Sequence, residues 1–329
     1  MSSREIRTCF VTGGTGFIGS HLVDRLLQRG CDVRCLVRDR SRLRWLHGKP
    51  VTIIEGELGL KSVIKEAASG TDAVFHLAGV TAAGSTEEYL EINAEGCRSV
   101  AEAALEAGQP PGVFIYMSSL AALGPGRPGE IISEQQAPHP VTDYGRSKLE
   151  GERILAGMGP LPLVVVRPPA VYGPRDREIL PLFKLASKGI LPVFNSDARI
   201  SLIHVEDLVT GVINAAQKGR LGEAYFLAHP VPVDAVRLPQ FFSEAMGRKV
   251  RTFNVPFAML KAAAVLSESW GRISGKMPVF NRDKVNELAA SSLVCAWEKA
   301  QREIDFTARV GLGEGLLETT RWYREQRWL

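Results

Sequence analysis

The sequence predicts an α/β protein, a doubly wound parallel sheet joined to a smaller, mostly helical C-terminal part suited to holding a substrate. Three observations carry that expectation. Short apolar segments alternate with longer amphipathic ones from the N-terminus to Pro168, a glycine-rich turn joins the first strand to the first helix, and after Pro168 loops containing Pro and Gly take over.

In order, "IRTCFVT" reads as a buried strand, "GSHLVDRLLQRG" as an amphipathic helix closing on Gly30, and "DVRCLV" as a second strand, which makes a βαβ unit. The alternation continues through "VTIIEG", a helix over 61–68, "DAVFHLAG", a helix over 87–107, "GVFIYMSS", the helix "DYGRSKLEGERIL" and "LPLVVVRP". "PPAVYGPRD" and "GILPVFNSDARI" read as loops. The helix "VEDLVTGVINAAQKG" and the strand "EAYFLA" have the character of the first part and are expected to return to it. The expected organisation is thus a cofactor domain over 1–168 together with 200–229, and a substrate domain over 169–199 and 230–329. Within the latter, "VPFAMLKAAAVL" reads as a core or lid helix rather than a membrane anchor.

Of 329 residues, 45% are hydrophobic and the net charge is only +4, so a large core is available and no global field favours nucleic acid. Five cysteines lack C-x-x-C spacing and any histidine cluster, which argues against disulfides and zinc and suits a reduced cytoplasmic setting. No run approaches the roughly 18 apolar residues of a spanning helix, and no metal site is expected. His76 and His204 read as satisfied core histidines.

In "VTGGTGFIGSHL", Gly13, Gly16 and Gly19 give G-x-x-G-x-x-G, and the frame Gly14, Gly16, Gly19 gives G-x-G-x-x-G. Between a strand and a helix, such a turn lets backbone N–H groups and a helix N-terminus meet a dinucleotide pyrophosphate. After the second strand comes "RDRSRLR", with Arg38 first. A guanidinium there suits the 2′-phosphate of NADP, so NADP is favoured over NAD, although Asp39 could hold a ribose.

Tyr144 and Lys148 are four apart on one helix face. A neighbouring ammonium and a nicotinamide cation both favour the phenolate, making the tyrosine a usable proton donor and acceptor. "YMSSLAALG" ends a buried strand and brings Ser119 to the carboxyl edge of the sheet, where parallel sheets bind ligands.

With "TGGTGFIG", "FHLAG", "INAEG", "YMSSLAALG", "YGRSK", "RPPAVYGP" and "IHVEDL" in this order, the chain resembles the extended short-chain dehydrogenase/reductase superfamily, which includes the NAD-dependent epimerase/dehydratases. The resemblance implies a Rossmann fold, an NAD(P)-dependent enzyme and a homodimer formed through the helix carrying Tyr144 and the one before the serine strand. It implies Tyr144 as general acid/base, Lys148 as holder of the nicotinamide ribose, Ser119 as hydrogen-bond partner of the reacting oxygen with Ser118 as runner-up, and Asn93 beside the lysine. Cofactor contacts are implied for Gly13, Thr15, Gly16, Phe17, Ile18, Gly19, Arg38, Leu58, Leu77, Ala78, Gly79, Ser118, Pro168 and Val171, besides Tyr144 and Lys148. Glu57 stands where relatives carry an aspartate near the adenine.

Ser119, Ala170 and Arg199 are the candidate substrate contacts. Sugar-nucleotide members carry an asparagine where this chain has Ala170, and an arginine-aspartate-aromatic triplet where it has Ile200, Ser201 and Leu202, with Arg199 displaced by one. Losing those polar groups disfavours a charged, hydroxylated ligand. The expected reaction is hydride transfer between NADP(H) and a hydroxyl/ketone pair on a fairly apolar small molecule. The alternatives are a sugar-nucleotide epimerase or dehydratase that holds its diphosphate through Arg175, Arg177 or Arg199, and a cofactor-sensing protein without turnover.

Overall fold

Strand β1 (Thr8–Thr12) has every residue from Cys9 onward buried in the computed structural model, which describes residues 3–274, Val285 and 292–329. A central parallel strand is covered on both faces, so its sequence is continuously apolar rather than alternating. It is followed by α1 (Phe17–Gln28), β2 (Asp32–Val37), β3 (Thr52–Glu55), α2 (Lys61–Ala68) and β4 (Ala73–His76). Next come α3 (Thr86–Leu90), α4 (Gly96–Leu105), β5 (Val113–Met117), α5 (Asp143–Ala156), β6 (Leu163–Arg167) and β7 (Ala170–Tyr172). The chain continues through α6 (Leu180–Ser187), β8 (Ile190–Val193), β9 (Arg199–Ile200), β10 (Leu202–His204), α7 (Val205–Lys218) and β11 (Ala224–Phe226). Last are β12 (Val233–Asp234), α8 (Leu238–Met246), β13 (Arg251–Asn254), α9 (Phe257–Ser274), β14 (Ser292–Leu293), α10 (Glu298–Ile304) and α11 (Leu312–Glu325).

Seven strands form one parallel sheet in the order β11-β6-β5-β4-β1-β2-β3. This is a Rossmann sheet. Its order reverses between β1 and β4, opening the ligand crevice beyond their carboxyl ends. Leu22 and Leu26 of α1, Leu208 and Val212 of α7 and Ile304 of α10 belong to one core cluster. Ile64 of α2, Val100 and Ala104 of α4 and Leu155 of α5 belong to another. Phe183, Phe242 and Tyr323 centre a third cluster in the C-terminal part.

Two expectations need correction. The segments read as loops contain β7, β8 and β9, and the stretch after residue 230 contains β12, β13 and β14 besides its helices. These strands are two to four residues long, too short to display a period, and Pro192 is tolerated in β8 because that strand belongs to a two-stranded sheet with β13. The helix expected over 87–107 is present as α3 and α4 with a π-helical turn, Glu91–Glu95, between them. Residues 275–284 and 286–291 of the expected substrate domain lie outside the described residues.

Candidate active site

Beyond β1 the chain turns through Gly13 at φ +77°, a conformation open to glycine. A Cβ there would stand 2.6 Å from the Ala78 nitrogen and 2.7 Å from the Leu77 carbonyl carbon, and one on Gly19 would stand 2.2 Å from the Gly13 oxygen. Sterics therefore enforce Gly13 and Gly19, whereas a Cβ on Gly16 would meet only the Gly13 oxygen, at 3.2 Å, and the space beside Gly14 is bounded by side chains of Cys35, Val23 and Leu46. Gly16 caps α1 without a side-chain hydrogen bond, so the first-turn N–H groups of Phe17, Ile18 and Gly19 face outward beside Thr15 with the helix's positive end behind them. These residues fit a dinucleotide pyrophosphate.

Lys148, on α5, is 5% exposed, donates from Nζ to the Met117 carbonyl at 2.9 Å and sits 5.1 Å from the centre of the Tyr116 ring. Burial draws its pKa down to about 8, against the opposing influence of Cys97 and Glu152. A Cβ on Gly79 would lie 2.8 Å from Asn93 Oδ1 and 3.1 Å from Lys148 Nζ, so only glycine leaves room for both. Asn93 lies in the π turn, which widens the helix and turns its buried amide toward two partners. Its Oδ1 accepts from the Val80 amide at 2.8 Å, and its Nδ2 donates to the Val80 carbonyl and to Ser147 Oγ, each at 2.9 Å. It thus pins the loop after β4 to α5. Beneath, Tyr116 donates to the Asn93 carbonyl at 3.2 Å and stacks on His76 at 5.9 Å. Burial, with the nearby Lys148 charge, holds His76 down to about 3 and hence neutral, with Nδ1 2.7 Å from Thr12 Oγ1.

Thr142 caps α5 by accepting from the Gly145 amide at 3.0 Å, which sets Tyr144 in the first turn, half-buried and 6.4 Å from the Tyr89 ring. A Cβ on Gly145 would come within 2.3 Å of the Ala121 carbonyl, so the N-terminus of α5 lies directly on the turn that starts at Ser119. Ser119, half-buried, accepts from the Ala121 amide at 3.1 Å, and the Pro168 carbonyl accepts from Leu120 at 2.9 Å, tying this turn to the end of β6. Ser118 faces elsewhere: its hydroxyl donates to Glu152, which Arg167 holds from Nε at 2.9 Å and Nη2 at 2.5 Å. Of the two serines, Ser119 is the one whose side chain shares the turn packed against α5.

At the tip of β2, Asp39 turns into its own loop, accepting from the Ser41 amide at 2.8 Å and the Ser41 hydroxyl at 2.6 Å. Those hydrogen bonds hold its carboxyl below the usual range. Arg40 is bound to the Ile53 carbonyl and Arg42 pairs with Asp39, whereas Arg38 is exposed and has no side-chain partner among the described residues. Glu57 is exposed, and Leu58 packs against Gly96, where a Cβ would stand 2.9 Å from its Cδ1.

Among the residues expected to meet the substrate, Ala170 is the register partner of Leu202 in the β7–β10 pair, beside Val171 and Ile203. Ser201 is buried, its hydroxyl accepting from the Cys295 amide at 3.1 Å, and Arg199 pairs with Asp234 at 3.1 Å. Arg175 has a left-handed φ of +72° and donates to Ser20 at 3.1 Å and Asp24 at 2.8 Å. Both arginines are therefore already engaged with carboxylates. His204 also differs from expectation: it is buried, burial draws its pKa down to about 4, and neither ring nitrogen has a hydrogen-bond partner among the described residues. The residues left unread in the sequence are Tyr116, Glu152 and Arg167. Glu152 did carry a trace, four residues past Lys148 and eight past Tyr144 on the same helix face.

A cradle shaped for a dinucleotide stands beside a buried lysine on the helix of Tyr144, and together fold and site define an NAD(P)-dependent enzyme. The chain belongs to the NAD dependent epimerase/dehydratase family, whose model matches residues 9–228, and so to the extended short-chain dehydrogenase/reductase superfamily. It is 32% identical over 325 residues to the ceramide reductase of Caulobacter vibrioides, covering 97% of this chain and 95% of that one. It is 31% identical over 315 residues to the 4-hydroxy-2-methyl-3-oxo-4-farnesyl-3,4-dihydroquinoline-1-oxide ketoreductase of Stigmatella aurantiaca, covering 93% and 94%. The dTDP-glucose 4,6-dehydratase DesIV of Streptomyces venezuelae, solved with NAD bound, shares the fold at TM-score 0.78 and 22% identity, covering 97% and 98%. Among the described residues no helix is long and apolar enough to cross a membrane, and no group of His, Cys, Asp and Glu could hold a metal.

Proposed function

We propose that the protein reduces a ketone, reversibly, on a fairly apolar small molecule, with NADPH as hydride donor and Tyr144 as general acid/base. The observation that carries the substrate class is the pairing of Ala170 with Leu202. In sugar-nucleotide relatives the first position carries an asparagine and the second the aromatic member of the triplet, and here the two make one apolar wall. Two relatives about one-third identical are named as reductases of molecules with long apolar chains, a ceramide and a farnesyl quinoline. The epimerase or dehydratase reading has less support, because Arg175 and Arg199 are engaged with Asp24 and Asp234.

The cofactor, when bound, supplies the hydride. Lys148 then offers its remaining N–H donors to the nicotinamide ribose, the Met117 carbonyl having taken one. Its positive charge favours loss of the Tyr144 proton to the substrate oxygen, and Ser119 orients that oxygen. Arg38 takes the 2′-phosphate and gives the preference for NADP. The part over 1–168 with 200–229 holds the cofactor, and 169–199 with 230–329 holds the substrate. A homodimer through α4 and α5 is what the family resemblance implies, and a reducing cytoplasm suits five cysteines that are all free and buried.

The test is NADPH oxidation against a panel of long-chain ketones. Tyr144→Phe should abolish turnover while NADPH still binds by calorimetry; unchanged turnover would exclude the mechanism. Tight binding of a nucleoside diphosphate would restore the sugar-nucleotide reading.

A further inference from the structure

Over residues 258–265, helix α9 is apolar on the side it hides and, Lys261 apart, on the side it shows. Leu260 and Ala264 are buried against Phe194 and Val255. Met259, Ala262 and Val265, three residues apart, share the opposite face, and all three are exposed, Met259 to 62%. An ordinary surface helix puts charge on that face, whereas an all-round apolar helix is covered by something. Next to it, β13 pairs with β8, bringing Arg251 opposite Ile190 and Phe253 opposite Pro192. All four residues of β13 are exposed, Phe253 to 46%, and Ile190 is exposed as well. The Val255 amide bonds the Val193 carbonyl at 3.1 Å, so strand pair and helix form one continuous unit.

The charge carried by the two segments that build this unit has one sign. Residues 179–196 and 247–266 carry Lys184, Lys188, Arg248, Lys249, Arg251 and Lys261 and no carboxylate. Elsewhere the chain mixes its signs, with 40 basic and 36 acidic residues in all. Arg248 reaches across to the Ser187 carbonyl at 2.6 Å, which fastens the two basic segments together.

We propose that this unit is a docking surface for an anionic lipid bilayer, on which the protein lies with Phe253 and Met259 entering the headgroup boundary and the basic residues facing lipid phosphates. A nucleic acid or acidic protein would satisfy the cations and leave the apolar side chains without a purpose. A bilayer takes both. Docking of this kind spans nothing, in keeping with the lack of a crossing helix among the described residues. The proposal is independent of the reaction proposed above, since vesicles alone test it.

The experiment is vesicle flotation of the full-length protein. It should float with phosphatidylcholine vesicles containing about one-third phosphatidylglycerol, bind pure phosphatidylcholine at least tenfold less, and be released by 0.5 M salt in proportion to screening. Lys249→Glu with Arg251→Glu should lower binding well over tenfold, each cation lost near such a surface being worth about fivefold. Phe253→Ser with Met259→Ser should weaken binding a further way that salt does not mimic, with unchanged thermal unfolding as the control for folding. Failure to float with anionic vesicles overturns the proposal. So does binding insensitive to the serine pair and matched by duplex DNA, which would mark a general polyanion patch, and so does a concentration-dependent dimer abolished by that pair, which would make a second copy the occupant.

Discussion

Arg167 grips Glu152 with two parallel hydrogen bonds, at 2.9 and 2.5 Å, beneath the helix that carries Tyr144 and Lys148. The side chains are only 12% and 8% exposed, so water does little to screen them. Ser118 donates to the same carboxylate. The pair therefore fastens α5 to the ends of β5 and β6, and its negative member lies one turn from the buried ammonium of Lys148.

Removing that carboxylate should be felt twice. Glu152→Gln leaves Arg167 buried without its counter-charge and is expected to cost about 3 kcal/mol in urea unfolding. It should also move the alkaline limb of kcat. Lys148 loses its charge as pH rises through about 8, and the Glu152 charge is one of the influences holding that value up, so the limb should shift to lower pH in the variant. A limb that stays in place while stability falls would make Glu152 structural alone.

Asn93→Ala cuts the tie between the loop after β4 and α5. Three hydrogen bonds disappear, to both backbone groups of Val80 and to Ser147, leaving the Val80 groups part-buried. A loss of about 2–3 kcal/mol in stability is expected, together with a fall in kcat on the order of tenfold from the displaced lysine and tyrosine. Stopped-flow single-turnover kinetics check the second effect, and an unchanged rate would confine Asn93 to packing.

Arg38→Ala should weaken NADPH binding by about ten- to a hundredfold, the range of a hydrogen bond to a charged group. NADH binding should change by less than about twofold, since NADH lacks the phosphate. Parallel calorimetric titrations decide it, and equal losses for the two cofactors would remove the basis for an NADP preference.

His204 gives a pH prediction with a definite sign. Its folded value, about 4, lies below the ordinary 6.5 because the ring is buried, so between those values the unfolded chain takes a proton that the folded one refuses. Its contribution is lost as pH falls from 6.5 to 4, by at most about 1.4 kcal/mol per pH unit. His76 acts in the same direction, and Asp176, whose buried carboxyl is pushed up to about 7, acts against it. Their effects are common to both proteins, so the comparison isolates one site: His204→Leu should lie within about 1 kcal/mol of the parent at pH 7 and lose one proton's worth of the acid slope. Identical slopes in denaturant titrations from pH 7 to 4 would refute the assignment.

The sheet was legible in the sequence because strands such as "LVVVR" are buried on both faces and their apolar runs are hard to mistake. The glycine turn was legible for a similar reason, since Gly13 and Gly19 leave no room for any other residue. What the sequence concealed depends on contacts between distant segments. Glu152 and Arg167 meet only once α5 is laid across β6, and Tyr116 gives no sign in "VFIYM" that an ammonium will rest on its ring. The short strands β8 and β13 pair across some sixty residues, and neither has a pattern of its own. His204 looked satisfied because a buried imidazole normally is.

The π turn at Glu91–Glu95 carries one residue more than a regular helix would need. The wide turn absorbs that surplus, so the two helices it joins keep one phase and Tyr89 and Cys97 both face inward. Excising a single residue here would let α3 run into α4 as one regular helix, the two side chains then standing within about 20° of the same face at about 100° per residue. In a deletion library the fold should therefore accept a one-residue shortening of this stretch, whereas activity should fall, because the widened turn that presents the Asn93 amide is lost with the bulge.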